Sequence, residues 1–310
     1  MANNVNMTVD FAGVRLANCV MTASGTCGYG DELADFFDPA RLGGFITKSI
    51  TLAPRAGNPT PRAVETSAGM LNAIGLANIG LERFIEEKIP ILRDLGTAIF
   101  VNVAGQTIDE YVAIADRLSS QDAIAGLELN ISCPNVKKGG ITFGTDPPQI
   151  REITAAVKQA AGRKCLMVKL TPCVTDITVT AQAAVDGGAD ALSLVNTFTA
   201  MSIDIYRRKP VLANRTGGLS GPAIKPIAVY LVNRVYEHVA RAAGVPVLGL
   251  GGIRTASDAL EFIIAGASAV AIGTGTFMNP ACAVEIVDGI RDYCRTQGIS
   301  NITDLVGTLK

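Results

Sequence analysis

Polar side chains interrupt otherwise apolar runs at one repeated place in this sequence, the C-terminal end of each run. Lys48 and Ser49 close 43-GGFITKSI-50, and Asn102 lies in 98-AIFVNVAG-105. Asn130 lies in 126-GLELNISCP-134, Lys169 in 166-LMVKLTP-172, and Asn196 and Thr197 close 191-ALSLVNT-197. Burying a lysine or asparagine among Val, Ile and Leu is costly unless a partner satisfies it. One such residue is as well read as a group satisfied by backbone. Five successive runs ending alike point instead to a shared site. Two more runs, 245-VPVLGLGG-252 and 269-AVAIGTG-275, end in Gly251-Gly252 and Gly273-Thr274. Glycine lets bare backbone N–H groups approach an anion, the chemistry of a phosphate cradle.

Two lysines at strand ends allow two chemistries. One is a Schiff base with a carbonyl substrate. The other is fixed positive charge beside a flavin, where it stabilises the reduced, anionic ring. Spacing does not decide between them. The sharpest single segment is 126-GLELNISCPNVKKGGITFGT-145, where Cys133 follows a polar strand end. A cysteine taken alone is most often a small buried hydrophobe. On a loop beside the other polar residues, a thiol with an ordinary pKa of about 8.5 becomes a candidate proton acceptor. Gly139, Gly140 and Gly144 suit a loop that opens and closes over a ligand. The one histidine, His238, falls within an amphipathic helical pattern with no motif around it, so it is expected on a helix flank, away from proton chemistry.

These residues need a scaffold that brings many strand ends to one face. Eight apolar runs are legible, adding 20-VMTASG-25 to the seven above. Nearly continuous apolar character indicates strands buried on both faces, as in a parallel sheet. Helical patterns separate them, among them 108–120, 147–162, 176–188 and 255–266. Eight alternations predict an α/β fold, a (β/α)₈ TIM barrel formed by one domain over 1–310, with a doubly wound sheet as the other topology. The segment 7–18 turns at Ala12-Gly13 and is expected to cap the bottom of the barrel as a β-hairpin. The long connections 51–79, 135–146 and 198–222 follow strands, so they are insertions on the C-terminal face, where barrel enzymes build their sites.

Composition narrows the partners. A net charge of −1 with no basic stretch argues against nucleic acid. No run of 18 apolar residues and no secretory pattern at the start are found, so a cytoplasmic location is expected. The 7 cysteines are odd in number and form no CxxC pair, which argues against a disulfide framework, a metal site or an iron–sulfur cluster held by this chain.

Asn130-Ile131-Ser132-Cys133-Pro134-Asn135 resembles the catalytic loop of the class 1 dihydroorotate dehydrogenases. The stretch 57-GNPTPRAVETSAGMLNAIGLANIG-80 resembles that family's substrate loop. The stretches 44-GFITKSIT-51, 168-VKLTP-172, 213-ANRTGGLSGPAIKP-226 and 249-GLGGI-253 resemble its flavin-contacting segments. The likeness runs from about residue 7 to about residue 295 in one order, and GNPTPR, MLNAIGL and GLSGPAIKP are most like the NAD-linked type 1B catalytic subunit. This resemblance implies one FMN per chain, contacted by Ser24, Lys48, Ser49, Asn102, Asn130, Lys169, Val195, Gly221, Gly251, Gly252, Gly273 and Thr274. It implies dihydroorotate bound by Lys48, Asn72, Ala73, Ile74, Gly75, Leu76, Asn130, Asn135, Asn196 and Thr197. Cys133 would take the C5 proton while hydride leaves C6 for the flavin. It further implies a homodimer core within a heterotetramer, with two electron-transfer subunits carrying FAD and [2Fe–2S]. Tyr230, where a basic residue is expected, and Arg215 depart from the family pattern.

Overall fold

The computed structural model describes residues 5–131 and 143–310. The chain opens on a hairpin of β1 (Val9–Phe11) and β2 (Val14–Leu16). Strands β3 (Val20–Thr22) and β4 (Gly44–Ile46) follow, then an antiparallel pair, β5 (Ala63–Thr66) and β6 (Gly69–Asn72). Next come β7 (Ala98–Val103), β8 (Gly126–Asn130), β9 (Cys165–Lys169) and β10 (Ala191–Leu194). The connection after β10 holds β11 (Phe198–Ala200), β12 (Ile203–Asp204), β13 (Lys209–Pro210) and β14 (Gly217–Ser220). Strands β15 (Val247–Leu250) and β16 (Ala269–Ile272) complete the set.

Eight of these strands close a barrel in the order β3-β4-β7-β8-β9-β10-β15-β16, every pairing parallel. The topology is a (β/α)₈ barrel, and the doubly wound alternative is excluded because β16 pairs with β3. The surrounding helices begin where local chemistry satisfies their first N–H groups. Thr107 accepts from Glu110 N ahead of Ile108–Ser119, and Asp176 accepts from Thr178 N ahead of Ile177–Asp186. Thr255 and Asp258 form a capping box at the start of Ala256–Ile264.

All eight barrel strands stop earlier than their apolar runs do. The run 43–50 gives a ladder only over Gly44–Ile46, and 191–197 only over Ala191–Leu194. The reason is that, among the described residues, the ends of these runs leave the ladder at the rim, where Lys48, Asn196, Gly251, Gly252 and Gly273 are half-buried. Lys48, Asn196 and the glycine pairs therefore stand beyond the strands, whereas Asn130 and Lys169 are the last residues of β8 and β9.

At the bottom, the β1–β2 hairpin turns through Ala12 at φ 52° and Gly13 at φ 80°, as the two-residue turn requires. Phe11, fully buried, sets its ring edge-on to Phe100 of β7 at 6.4 Å. Gly126 of β8 makes room for that ring, since a Cβ there would lie 2.7 Å from Phe100. At the top, the insertions 51–79 and 198–222 join into a four-stranded antiparallel sheet, β11-β14-β6-β5. Sequence periodicity gave no sign of this sheet. Its strands are short, partly exposed, and paired across about 150 residues, as in Leu219 with Leu71.

Candidate active site

Between the barrel rim and this upper sheet lies a cavity of about 340 Å³. Strand alternation explains much of its floor. In β8, Glu128 and Asn130 share the face that turns into the barrel, while Leu127 and Leu129 pack outward. Register sets Asn102 opposite Glu128 and Asn130 opposite Lys169. Lys169, at the end of β9, donates from Nζ to Ser24 Oγ at 3.1 Å and lies 3.6 Å from the Glu128 carboxylate.

The structure brings most of the expected residues to this cavity. Ser24, Lys48, Ser49, Asn130, Lys169, Val195, Gly221, Gly251, Gly252, Gly273 and Thr274 line it, as do Asn72, Ile74, Leu76, Asn196 and Thr197. Three do not. Asn102 is fully buried one layer below, where it bonds Ser49, Asn130 and Glu128 instead of facing the space. Ala73 points away and packs with Leu71 and Leu212 under the upper sheet. Gly75, at φ 74°, packs against the Asn58 side chain and turns the chain so that its neighbours Ile74 and Leu76 face inward. Cys133 and Asn135 lie outside the described residues.

Charge in the cavity is one-sided. Lys48 and Arg62 both line it, and among the described residues neither has a carboxylate at ion-pair distance. Arg62 donates only to the carbonyls of Ala56 and Asn58. Burial first, and then the nearby Arg62 guanidinium, hold the Lys48 ammonium below the usual lysine pKa. Two cations held near each other in a half-buried space are stabilised by an anionic ligand.

Elsewhere on the wall, three chain segments meet at glycines whose close approach leaves no room for a Cβ. A Cβ on Gly252 would sit 2.7 Å from Gly221 O, and one on Gly221 would sit 2.7 Å from Gly69 Cα. Gly251 and Gly252 take φ of 133° and 83°, open to glycine and strained for other residues. Thr274 Oγ1 donates to Ser220 Oγ at 2.8 Å and ties the β16 turn to the end of β14.

Arg62, Met70, Ser220 and Phe277 also line the cavity and were not anticipated from sequence; Glu128 and Ser193 beneath it were missed as well. The signal for Glu128 was its spacing of two from Asn130. Of the other cysteines, Cys19 and Cys165 are pushed up to about 12 and Cys282 to about 11 by burial. Cys173 is exposed, unlike the buried majority. His238 is exposed beside Arg234, on the outer face of the helices. Tyr230 is exposed on the outer helix Lys225–Val235, and Arg215 takes a left-handed φ of 68° in the turn before β14. Among the described residues, no group of three His, Cys, Asp or Glu is placed to hold a metal ion, and no helix is long and apolar enough to cross a membrane.

Known proteins resemble this chain over almost all of its length. A dihydroorotate dehydrogenase from Pelobacter propionicus, described as the NAD(+)-type B catalytic subunit, is 55% identical over 305 residues, covering 98% of this chain and 99% of that one. The protein of the same description from Geotalea uraniireducens is 53% identical over 304 residues, 98% of each chain. A crystal structure of a dihydroorotate dehydrogenase from Eimeria tenella, in complex with ferulenol, superposes with a TM-score of 0.80 at 24% identity, covering 99% of this chain and 89% of that one, and shares the fold. The family model for dihydroorotate dehydrogenase matches residues 6–293. With nearly its whole length matched, the chain belongs to the dihydroorotate dehydrogenase family.

Proposed function

We propose that this chain oxidises dihydroorotate to orotate in cytoplasmic pyrimidine biosynthesis, acting over its whole length as one FMN-binding barrel domain. The observation that carries this reading is a cavity combining a glycine-rich anion cradle, two cations with no carboxylate partner among the described residues, and a row of amide side chains. The names of the relatives support the substrate and the NAD linkage.

The residues present fit FMN. Backbone at Gly221, Gly251, Gly252 and Gly273 would hold its phosphate without a Cβ in the way, with the backbone of Thr274 beside them. Ser24, Lys48, Ser49, Asn130, Lys169 and Val195 would hold the ring, with Asn102 acting from behind through Ser49 and Asn130. FMN supplies a two-electron acceptor for hydride. Lys169, 3.6 Å from Glu128, would set positive charge against the reduced, anionic ring. Lys48 and Arg62 bind the substrate carboxylate. Asn72, Asn196 and Thr197 fix the ring, because amides offer both a donor and an acceptor to alternating N–H and C=O groups. Ile74 and Leu76 close over it and exclude water. Cys133, with Asn135 beside it in sequence, takes the C5 proton as C6 gives up hydride, so substrate loses one proton and one hydride.

A partner subunit carrying FAD and [2Fe–2S] would pass the electrons to NAD, two such subunits flanking a homodimer of this chain. The test is the visible spectrum of the purified chain. A yellow protein whose flavin bleaches anaerobically with dihydroorotate is expected, with NAD reduction only after co-expression with the partner. Strong fumarate turnover by the isolated chain would reassign it to the type 1A enzymes. The depressed Lys48 would also serve a Schiff-base enzyme. A colourless protein that ignores added FMN and is inactivated by borohydride with substrate would replace the flavin reading.

A further inference from the structure

We propose that Glu128 is a positioning residue that decides, through the intervening amide of Asn102, which atom Asn130 presents to the ligand. The inference rests on the function proposed above and extends it to ligand selectivity. Glu128 is fully buried in the middle of β8. One carboxylate oxygen accepts from Ser193 Oγ at 2.7 Å, the other accepts from Asn102 Nδ2, and Lys169 Nζ stands 3.6 Å away.

A carboxylate facing two donors and an ammonium only accepts. Asn102 must therefore turn its Nδ2 toward Glu128, since the reverse orientation would set carbonyl oxygen against carboxylate. This fixes Asn102 Oδ1 on the other side, where it accepts from Ser49 Oγ and, at 3.3 Å, from Asn130 Nδ2. Asn130 uses one of the two N–H groups of its Nδ2 in this bond, which fixes the amide with its nitrogen toward Asn102 and its oxygen turned the other way. Its Oδ1 is buried, lacks any hydrogen-bond partner among the described residues, and belongs to a cavity-lining residue only 6% exposed. An orphaned buried acceptor is destabilising until something donates to it.

Free asparagine can donate or accept. Here the buried charge removes the choice, and Asn130 becomes an acceptor that selects a ligand N–H. A dihydropyrimidine ring alternates N–H with C=O, so a fixed acceptor at one point sets the register in which the ring lies. A ring turned by one position would bring a carbonyl oxygen to Asn130 Oδ1 and be rejected.

A double-mutant cycle on the FMN-loaded protein, read as orotate affinity at pH 8, tests this. Asn130→Asp places a second acceptor against Asn102 Oδ1, and Glu128 prevents Asn102 from turning to relieve it. Orotate should bind about tenfold more weakly. Glu128→Gln keeps the shape but adds a donor, which lets Asn102 reverse. The double variant Glu128→Gln/Asn130→Asp should bind orotate several-fold more tightly than Asn130→Asp alone, a rescue that a residue serving only stability would not give. Additive or worse losses overturn the proposal. Neutron diffraction on the unmodified protein decides it even if a variant fails to fold. Deuterons on Asn130 Nδ2 pointing to Asn102 are expected, and deuterons pointing into the cavity overturn it. If the wild type does not bind orotate, the proposed function fails while the neutron map still decides the relay.

Discussion

Both ends of this barrel are closed by antiparallel β-structure, yet they close it differently. At the bottom, the β1–β2 hairpin presses Phe11 against Phe100 and leaves no space between them. At the top, the four-stranded sheet from the two long insertions stands off the rim and encloses a cavity lined by lysines, asparagines and glycines. The difference lies in what the strand ends offer. Apolar rings gain by excluding water and each other's voids. Buried lysine and amide groups gain only from a polar partner, so the upper end stays open for one. Stability and function are thereby assigned to opposite ends of one cylinder.

Substitutions at each end sharpen that contrast or break it. The largest effect is expected from Cys133→Ala, which should lower kcat by about 10²–10⁴ and retain FMN. Near-normal turnover in a rapid-mixing assay would remove Cys133 from proton transfer. At the other end, Phe11→Ala should cost about 3–5 kcal/mol of stability in denaturant unfolding. KM for dihydroorotate should not move, and a large change in KM would mean that the two ends are coupled.

Gly252→Ala comes next. Its Cβ would meet Gly221 O at 2.7 Å, at a φ of 83°. Strain of about 1–3 kcal/mol should appear as weaker FMN retention in a dialysis assay. Unchanged retention would move the phosphate elsewhere.

The smallest effect concerns pH. The Lys48 pKa lies below 10.5 in the free protein, chiefly through burial and then through Arg62. The fold therefore binds this proton less well than the unfolded chain does, so Lys48 costs stability below its folded pKa and that cost is relieved as pH rises toward 10.5. An anionic ligand favours the charged form, so orotate affinity should fall as pH rises through the depressed value. Calorimetry in buffers of different ionisation heat should show proton uptake on binding at alkaline pH. Affinity independent of pH up to 10.5 would separate Lys48 from the carboxylate.

Much of the site was legible before any coordinates. Lys48, Asn130 and Lys169 stand out because each breaks an apolar run, and the paired glycines stand out because they follow two runs in a row. Asn102 was legible as polar but not in depth: its position in β7 sets it opposite Glu128, one layer below the rim, a matter of register with β8. Glu128 was overlooked between two leucines, although its alternation with Asn130 marks the same inward face. Ala73 and Gly75 came only from the family resemblance of their segment; here Ala73 packs against Leu212 and Gly75 against the Asn58 side chain.

Hydrophobic periodicity by itself determined the eight strands, their order and the end of the barrel that carries chemistry, because burial on both faces and polar rim residues are written locally. The tertiary structure alone decided how deep each polar residue sits, which amide faces which carboxylate, and that two distant insertions form one sheet over the cavity. Those depend on pairings between residues far apart in the chain, and a shift of one position in a strand would turn each side chain to the opposite face.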